Sequence, residues 1–288
     1  MLDLMIPPIV AALVILLIHA YLGLHVIARQ VIFVDLAFAQ IAAFGTTVAL
    51  LLGIEMGTTL STVFALAATL LGALIFSFTR MEEGSSVPQE AIIGIVYVVA
   101  SAAVILLAGM TAEGAEHIKE TLTGTLIWVD WSTIGKMAAV YALVALFHVV
   151  LRRYFLSVSF HPEKVTKVRL WDFLFYVSFG IVISFSVEVA GVLMVFSALV
   201  IPAVVAFFFT NRFAVAVLIA WGSGALAIVL GIGASFYWDF ATGPLLVCAF
   251  GLVLLVAGIL KPFLGVKAGT RIRVRALVDD EATGAGAP

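Results

Sequence analysis

Long apolar segments recur along the chain with only short polar stretches between them, and they limit the possible folds more than any other feature. A helix needs about 20 apolar residues to cross the roughly 30 Å hydrocarbon core of a bilayer. Only Ser186 to Glu188 separates two of the segments, so that pair reads either as two short helices or as one broken helix. The sequence therefore predicts an all-α polytopic membrane protein with nine spans, or eight. The nine are 6–27, 32–53, 58–79, 91–110, 134–151, 171–187, 190–209, 213–237 and 240–260.

The composition supports a membrane protein over a soluble one. Of the 288 residues 64% are hydrophobic and 11% are charged, whereas a soluble domain has about a quarter charged residues. We expect a membrane domain over residues 1–262 and a disordered cytoplasmic tail over 263–288. The acidic start of the chain suggests that the first helix is retained and is not a cleaved leader. Cys248, the single cysteine, excludes an internal disulfide.

The basic residues predict the orientation of the chain. With nine spans and the N-terminus outside, thirteen of the fifteen lysines and arginines fall on one side of the membrane, and only Lys119 and Lys136 fall on the other. Cytoplasmic loops carry an excess of lysine and arginine, so the richer side and the C-terminus are predicted to be cytoplasmic. The thirteen are Arg29, Arg80, Arg152, Arg153, Lys164, Lys167, Arg169, Arg212, Lys261, Lys267, Arg271, Arg273 and Arg275.

Few strongly polar side chains lie inside the predicted spans. Asp35 and Gln40 lie in the second span and His19 lies deep in the first. A charge at mid-bilayer costs about 2.5–3.5 kcal/mol on insertion scales, so such groups should face protein or a water-filled cavity. Asp35 is also close enough to the predicted cytoplasmic end to be a simple interfacial carboxylate. His19 is a candidate for a transport pathway, whereas His25 and His148 read as helix-contact residues.

The seventh predicted span combines small residues with a proline. Gly191 and Ser197 allow neighbouring helices to approach closely, and Pro202 leaves a backbone carbonyl one turn earlier without its helical donor. Such a helix bends easily, and a bend beside a pathway is a candidate gate. A packing kink at Pro202 is the alternative.

A basic hydrophilic segment lies on the predicted cytoplasmic side around residues 158–170. Pro162 stands at a plausible helix start, Glu163 lies in the first turn and Lys167 lies towards the end, which is the charge order that suits a helix dipole. The sequence therefore predicts a short helix here. It is either a solvated connector held to anionic lipid or a docking element for a cytosolic partner.

Several kinds of chemistry leave no trace in the sequence. There is no GxxxxGK[ST] phosphate loop, no HExxH metal motif and no GxSxG nucleophile elbow with its context. The five histidines show no metal-ligand spacing. We therefore expect that the chain does not hydrolyse nucleotide by itself through a phosphate loop, and the sequence gives no support for an intramembrane enzyme.

Five stretches together resemble one family, the integral permease subunits of ATP-binding-cassette (ABC) importers for zinc, manganese or iron, of ABC-3 type. The strongest is AGVLMVFSALVIPAVVA, which is similar in order and spacing to that family's signature GVLL-x5-LI-[IL]-P-A-x2-A. The second covers the end of the first span and the start of the second. The five are 190–206, 23–45, 89–100, 117–131 and 160–172.

The second helix departs from the pattern of that family. The family usually has F-[IVM]-G-D-A-x-S-H there, with an aspartate and a histidine four residues apart on one face. Alignment puts Leu36 at the aspartate and Gln40 at the histidine, while Asp35 takes the place of the glycine. Asp35 and Gln40 are five residues apart, about 140° around a helix. A neutral amide suits hard cations better than zinc, so the resemblance implies an altered metal-contacting pair, Asp35 and Gln40.

The resemblance implies a transporter subunit that is not an enzyme, holds no cofactor of its own and leaves ATP hydrolysis to a separate chain. It also implies partners and a location. These are a homodimer in the bacterial inner membrane, two cytosolic ATPase subunits, an extracytoplasmic solute-binding protein, a divalent metal as cargo and no nucleic acid. The helix from Gly191 to Pro202 would line or gate the pathway. A chelated or non-metal cargo, or a secondary transporter that uses Asp35 as a proton or sodium site, are the alternatives. The ATPase would dock on His161, which replaces a family aspartate, and on Pro162, Glu163, Lys164 and Lys167.

Overall fold

The computed structural model describes residues 2–55, 57–80, 87–110 and 114–263. Within these residues the chain forms ten α-helices, two short 3-10 turns and no strand, as the apolar pattern predicts. The predicted tail, from residue 264 onwards, lies outside the described residues. The helices are α1 (Leu2–Ala28), α2 (Val34–Leu51), α3 (Thr59–Phe78), α4 (Gln89–Ala108), α5 (Gly114–Thr123), α6 (Trp131–Val150), α7 (Arg152–Phe160), α8 (Val168–Phe209), α9 (Phe213–Trp238) and α10 (Thr242–Phe263), and the 3-10 turns are Leu126–Trp128 and Pro162–Lys164.

Eight helices of the described chain are long and apolar enough to cross a membrane: α1 to α4, α6 and α8 to α10. Of these, α8 has 42 residues, about twice the length that one crossing requires. Its backbone leaves helical geometry at Gly191, with φ 72° and ψ 158°. The predicted interruption at Ser186 to Glu188 is therefore wrong, because those residues are helical and the break comes three residues later.

Helix α8 reverses direction at Gly191. The rings of Phe175, near its start, and Phe213, just beyond its end, both contact His25, with centroids 5.8 and 5.4 Å away. A straight helix from residue 175 to 209 would separate its ends by about 50 Å. The helix therefore consists of two antiparallel parts, here called the first limb (168–190) and the second limb (192–209). With both limbs counted, the described residues contain nine segments that can cross the membrane.

The reversal is packed against the connection between α5 and α6. The backbone N–H of Thr125 donates to the carbonyl of Val189 at 3.0 Å. A Cβ atom on Gly191 would lie 2.4 Å from the backbone nitrogen of Gly124, and one on Gly124 would lie 2.3 Å from the carbonyl carbon of Ala190. Both glycines have positive φ, a conformation that glycine adopts without steric cost.

Close helix contacts elsewhere also depend on glycine. A Cβ on Gly23 of α1 would lie 2.0 Å from the carbonyl oxygen of Leu199 in the second limb, and one on Gly45 of α2 would lie 2.5 Å from the carbonyl oxygen of Phe64 in α3. Small residues let helices in a membrane approach closely enough for their backbones to touch. These contacts fix α1 against the second limb and α2 against α3.

The two ends of the bundle differ in charge. At one end Asp172, at the start of α8, pairs with Arg29 after α1 and with Arg80 after α3. We call this the basic end, and the opposite end, which carries Glu120 and Glu188, the acidic end. The charge pattern of the sequence assigns Arg29 and Arg80 to the same side of the membrane, and their shared contact with Asp172 agrees.

The basic segment around 158–170 folds differently from the prediction. Helix α7 ends at Phe160, and only Pro162–Lys164 forms a 3-10 turn. Lys167 has φ 60° and precedes the first residue of α8. The prediction of a short helix from Pro162 to Lys167 is therefore wrong. The observed 3-10 turn ends at Lys164, and Lys167 is the N-cap residue of α8.

Candidate functional site

A cavity of about 290 Å³ lies near the acidic end. It is bounded by α2, α3, the region of α5 and the first limb of α8. Hydroxyl and carboxylate groups line much of it, and oxygen atoms of this kind are the ligands that hard divalent cations prefer. These polar lining residues are Thr46, Ser61, Thr62, Glu120, Thr121, Thr125, Ser184 and Glu188.

The cavity shows which face of α2 is turned towards it. Ala42, Ala43 and Thr46 line it, and successive helical residues differ by about 100°. Measured around the axis of α2, Asp35 lies within about 30° of the middle of this face, whereas Gln40 lies about 110° from it. Asp35 is also about 10 Å closer to the basic end than Ala42. Asp35 therefore lies on the cavity face of α2, deeper towards the basic end than the residues that line the cavity.

Asp35 is an isolated carboxylate in the interior. It is 1% exposed, and neither carboxylate oxygen has a hydrogen-bond partner among the described residues. An interfacial helix-start carboxylate would be solvated or would cap the helix, but the N-cap residue of α2 is Phe33. Buried polar groups are normally satisfied, so this carboxylate is the strongest functional candidate in α2.

His19 belongs to a different polar group, between α1, α6 and the first limb of α8. Its Nδ1 lies 2.8 Å from the carbonyl oxygen of Ile15, to which it donates, and its buried Nε2 has no partner within the described chain. The ring stands edge-on to Tyr141 at 6.4 Å, and the Tyr141 hydroxyl bonds to Ser186. His19 is not among the residues that line the cavity, and its pathway role stays a prediction.

The second limb of α8 contributes no lining to this cavity in the described structure. Ser197 is buried and its hydroxyl donates to the carbonyl of Leu193 at 2.8 Å. Pro202 is also buried, and the helix continues through it to Phe209. The departure from helical geometry in α8 is at Gly191, and a bend at Pro202 stays a prediction. The gating roles of Gly191, Ser197 and Pro202 stay predictions.

Sequence reasoning missed a polar network at the basic end. Arg29 donates from Nε to Ser159 Oγ at 2.8 Å and from Nη1 to Asp172 Oδ1 at 2.8 Å. Arg80 donates from Nη1 to Asp172 Oδ2 at 2.5 Å. The Nδ1 of His25 lies 2.8 Å from the same Ser159 hydroxyl. No local motif signals these contacts, because their partners are far apart in the sequence.

His148 extends this network along the bundle. Its Nε2 lies 2.8 Å from Ser178 Oγ and its Nδ1 lies 3.3 Å from the Tyr21 hydroxyl. Its ring stacks on Phe155 of α7 at 4.1 Å. Both nitrogens have partners, so the expectation that His148 is a helix-contact residue is confirmed.

The described residues of one chain contain no group of three histidine, cysteine or acidic side chains that could hold a metal ion.

Comparison with known proteins identifies the family. Residues 1–261 match the ABC 3 transport family. The chain belongs to this family. The manganese transport system membrane protein MntC of Halalkalibacterium halodurans is 24% identical over 268 residues, which cover 89% of this chain and 87% of that protein.

Two further comparisons agree. The chelated iron transport system membrane protein YfeD of Yersinia pestis is 25% identical over 264 residues, covering 86% of this chain and 82% of the relative. The solved structure of PsaBC from Streptococcus pneumoniae in complex with Fab shares the fold, with a TM-score of 0.72 and 20% identity, over 87% of this chain and 89% of that chain.

As a member of the ABC 3 transport family the chain is a multi-pass permease subunit and not an enzyme. Permeases of this family work with a separate ATPase and with a substrate-binding partner. This agrees with the expectation, implied by the resemblance, that ATP hydrolysis belongs to another chain.

The predicted docking segment of this ABC 3 permease is accessible at the basic end. Glu163, Lys164 and Lys167 are exposed, whereas His161 and Pro162 are half-buried. The segment follows α7, whose residues Phe155 and Ser159 are buried against the bundle. An exposed turn on a buried helix has the placement that docking of a cytosolic partner requires.

Proposed function

We propose that this permease moves a divalent metal ion inward across the bacterial inner membrane, from the cavity at the acidic end past Asp35. The buried carboxylate of Asp35, unpartnered among the described residues and on the cavity face of α2, carries the proposal. Relatives named for manganese and chelated iron transport support a metal cargo.

The charge of the two ends supports inward transport. Lysine and arginine favour cytoplasmic loops, so the basic end faces the cytoplasm and the acidic end faces outside. The cavity with Glu120 and Glu188 then opens on the side where a binding protein would release its cargo. Acidic side chains around the mouth raise the local concentration of cations.

The donor atoms favour manganese over zinc. The cavity offers hydroxyl and carboxylate oxygens, and Asp35 adds a carboxylate deeper in the same direction. Oxygen donors of this kind suit Mn²⁺, whereas zinc is usually held by imidazole and thiolate. The position that is histidine in the family pattern is Gln40 here, which removes an imidazole from α2.

We propose further that two copies of the chain form the transport unit. One copy supplies a single deep carboxylate on α2 and no three-ligand group among its described residues. Two copies around a shared axis would supply two Asp35 carboxylates to one ion. The mass of the purified complex in a native mass spectrum tests this stoichiometry.

The segment from His161 to Lys167 is the proposed docking site for the ATPase. Its exposure, its basic lysines and its position at the basic end support this assignment. ATP hydrolysis on the partner would then act on the permease through this turn.

The central test is transport by the reconstituted complex. We expect proteoliposomes that contain the permease with its ATPase and binding-protein partners to take up Mn²⁺ only with ATP, and to do so in the presence of a protonophore. Uptake driven by a proton or sodium gradient without ATP would instead support a secondary transporter. Uptake of an iron chelate without Mn²⁺ uptake would contradict the free-ion cargo.

A further inference from the structure

Arg29 binds the chain on both sides of the proposed docking segment, 161–167. Its Nε donates to Ser159, two residues before the segment, and its Nη1 pairs with Asp172, five residues after it, both at 2.8 Å. The side chain is 4% exposed, and its guanidinium lies 3.8 Å from the centre of the Phe175 ring. Because a guanidinium presents its donors in a rigid fork, this one residue holds both flanks at a fixed separation.

The same arginine is connected directly to the helix that carries Asp35. It follows α1, and α2 begins only five residues later at Val34. The connection is hydrogen-bonded to itself, with the amide of Val31 donating to Val26 at 3.2 Å and the amide of Val34 donating to Val31 at 3.1 Å. Arg29 and α2 are therefore joined by a short, hydrogen-bonded turn and not by a long loop.

Asp172 also forms an ion pair with Arg80, which follows α3. Asp172 is 1% exposed, and its Oδ2 accepts from Arg80, which follows α3 and is 22% exposed. Helix α3 lines the cavity through Ser61 and Thr62. Breaking a buried ion pair leaves an uncompensated charge, so Arg29, Arg80 and Asp172 are expected to move as a unit.

We infer that Arg29 is the positioning residue that transmits movement of the ATPase docking segment to the pathway helix α2. When the ATPase shifts the segment 161–167, Ser159 and Asp172 shift with it, and Arg29 carries the displacement to the start of α2 and so to Asp35. This inference rests on the proposed docking of the ATPase at that segment. Arg80 plays the lesser part, because it contacts only one flank.

The test measures a nucleotide-dependent movement of α2 without any assumption about the cargo. In a Cys248→Ala background, Thr46→Cys places a thiol on the cavity face of α2. The complex with the ATPase, in nanodiscs, is labelled with a maleimide in the nucleotide-free state and after trapping with ATP and vanadate. The ratio of the two labelling rates reports how far nucleotide moves the pathway face.

Arg29→Lys keeps a positive charge for Asp172 but replaces the rigid fork of donors by one ammonium on a flexible stem, so it no longer holds both flanks at a fixed separation. We expect this variant to retain the ATPase subunit and its ATP hydrolysis. The ratio of the two labelling rates should fall towards one, a loss of about fivefold or more relative to the protein with Arg29. The matched control is Arg169→Lys, since Arg169 is exposed near the same end of α8. Ser159→Ala removes one flank only and should give an intermediate ratio.

Two results would overturn the inference about Arg29. One is a labelling ratio for Arg29→Lys equal to that of Arg169→Lys. The other is loss of the ATPase subunit from the Arg29→Lys complex, which would make Arg29 a support of the docking surface. A failure of the docking proposal appears separately, as retention of the ATPase by the double variant Lys164→Glu and Lys167→Glu.

Discussion

Gly124 and Gly191 meet backbone to backbone at the acidic end, and neither position has space for a Cβ atom. Gly191 is the residue at which α8 reverses, and Gly124 lies in the connection that packs on that reversal. The two glycines therefore allow α8 to cross the membrane twice. They also tie the loop beside the cavity to the first limb of α8, which lines it.

We predict that Gly191→Ala destabilises the protein by about 2 kcal/mol or more, since it adds backbone strain to a clash with the backbone of Gly124. Gly53→Ala is the control for positive φ without a clash, because Gly53 has a φ of 77° and nothing within 4 Å of an added Cβ. Thermal unfolding in detergent measures both. Equal losses for the two variants would show that the contact with Gly124 contributes nothing.

The reversal shows where local sequence patterns stop being informative. Apolar length predicts the crossings well, because an exposed helix in lipid must be apolar along its whole length. The sequence places the break at Ser186 to Glu188 because Glu188 is the charged residue of an otherwise apolar stretch and Ser186 is polar. The structure keeps them helical, since Glu188 faces the cavity and Ser186 bonds to Tyr141. Gly191 breaks the helix because of a contact with Gly124 that no local pattern contains.

The candidate site was predictable only in part, because the sequence carries no local signal of contacts between distant residues. The sequence identifies Asp35 and Gln40 as polar groups in an apolar helix and gives the angle between them. It cannot tell which of the two faces a cavity, because that depends on how α2 packs against α3 and α8. The contact of Arg29 with Ser159 and Asp172 was beyond prediction, since it joins residues more than a hundred positions apart.

The start of α6 should respond to acid. Asp130 is its N-cap and accepts from the amide of Thr133 at 2.9 Å, and hydrogen bonding with Thr133 lowers the pKa of the Asp130 carboxyl. Because the pKa is lower in the folded state, the ionised cap stabilises the start of α6 at any pH above the unfolded-state pKa, about 3.9. This stabilisation is lost as the pH falls through the folded-state pKa. Asparagine also caps helices but does not titrate.

We therefore expect amide exchange at Thr133 to be similar in the wild-type protein and in Asp130→Asn near acid pH, and faster in Asp130→Asn near neutral pH. Comparing the two proteins at each pH cancels the intrinsic effect of pH on exchange. Asp130→Ala should exchange fastest at neutral pH. A difference between wild type and Asp130→Asn that does not change with pH would contradict this reading.

Reversing charge on the docking segment should release the ATPase. We predict that Lys164→Glu with Lys167→Glu lowers the amount of ATPase subunit that co-purifies with the permease, and that the loss grows at low salt, where surface charges are least screened. The control is Arg152→Glu with Arg212→Glu, which reverses two exposed charges at the same end outside the segment. Equal loss in both double variants would point to general electrostatics instead of this docking site.

Asp35 and Gln40 should differ in their effect on transport. Asp35 lies on the cavity face of α2, so Asp35→Asn removes the charge from the proposed path and should lower ATP-dependent Mn²⁺ uptake by about tenfold or more, the effect of losing roughly 1.4 kcal/mol of interaction with the ion. Gln40 points about 110° away from that face, so Gln40→Leu should lower uptake less. Uptake per unit of permease in the membrane, measured in proteoliposomes with Mn²⁺, separates transport from expression. If Gln40→Leu abolishes uptake while Asp35→Asn does not, the path follows the other face of α2, and the assignment of the carboxylate is wrong.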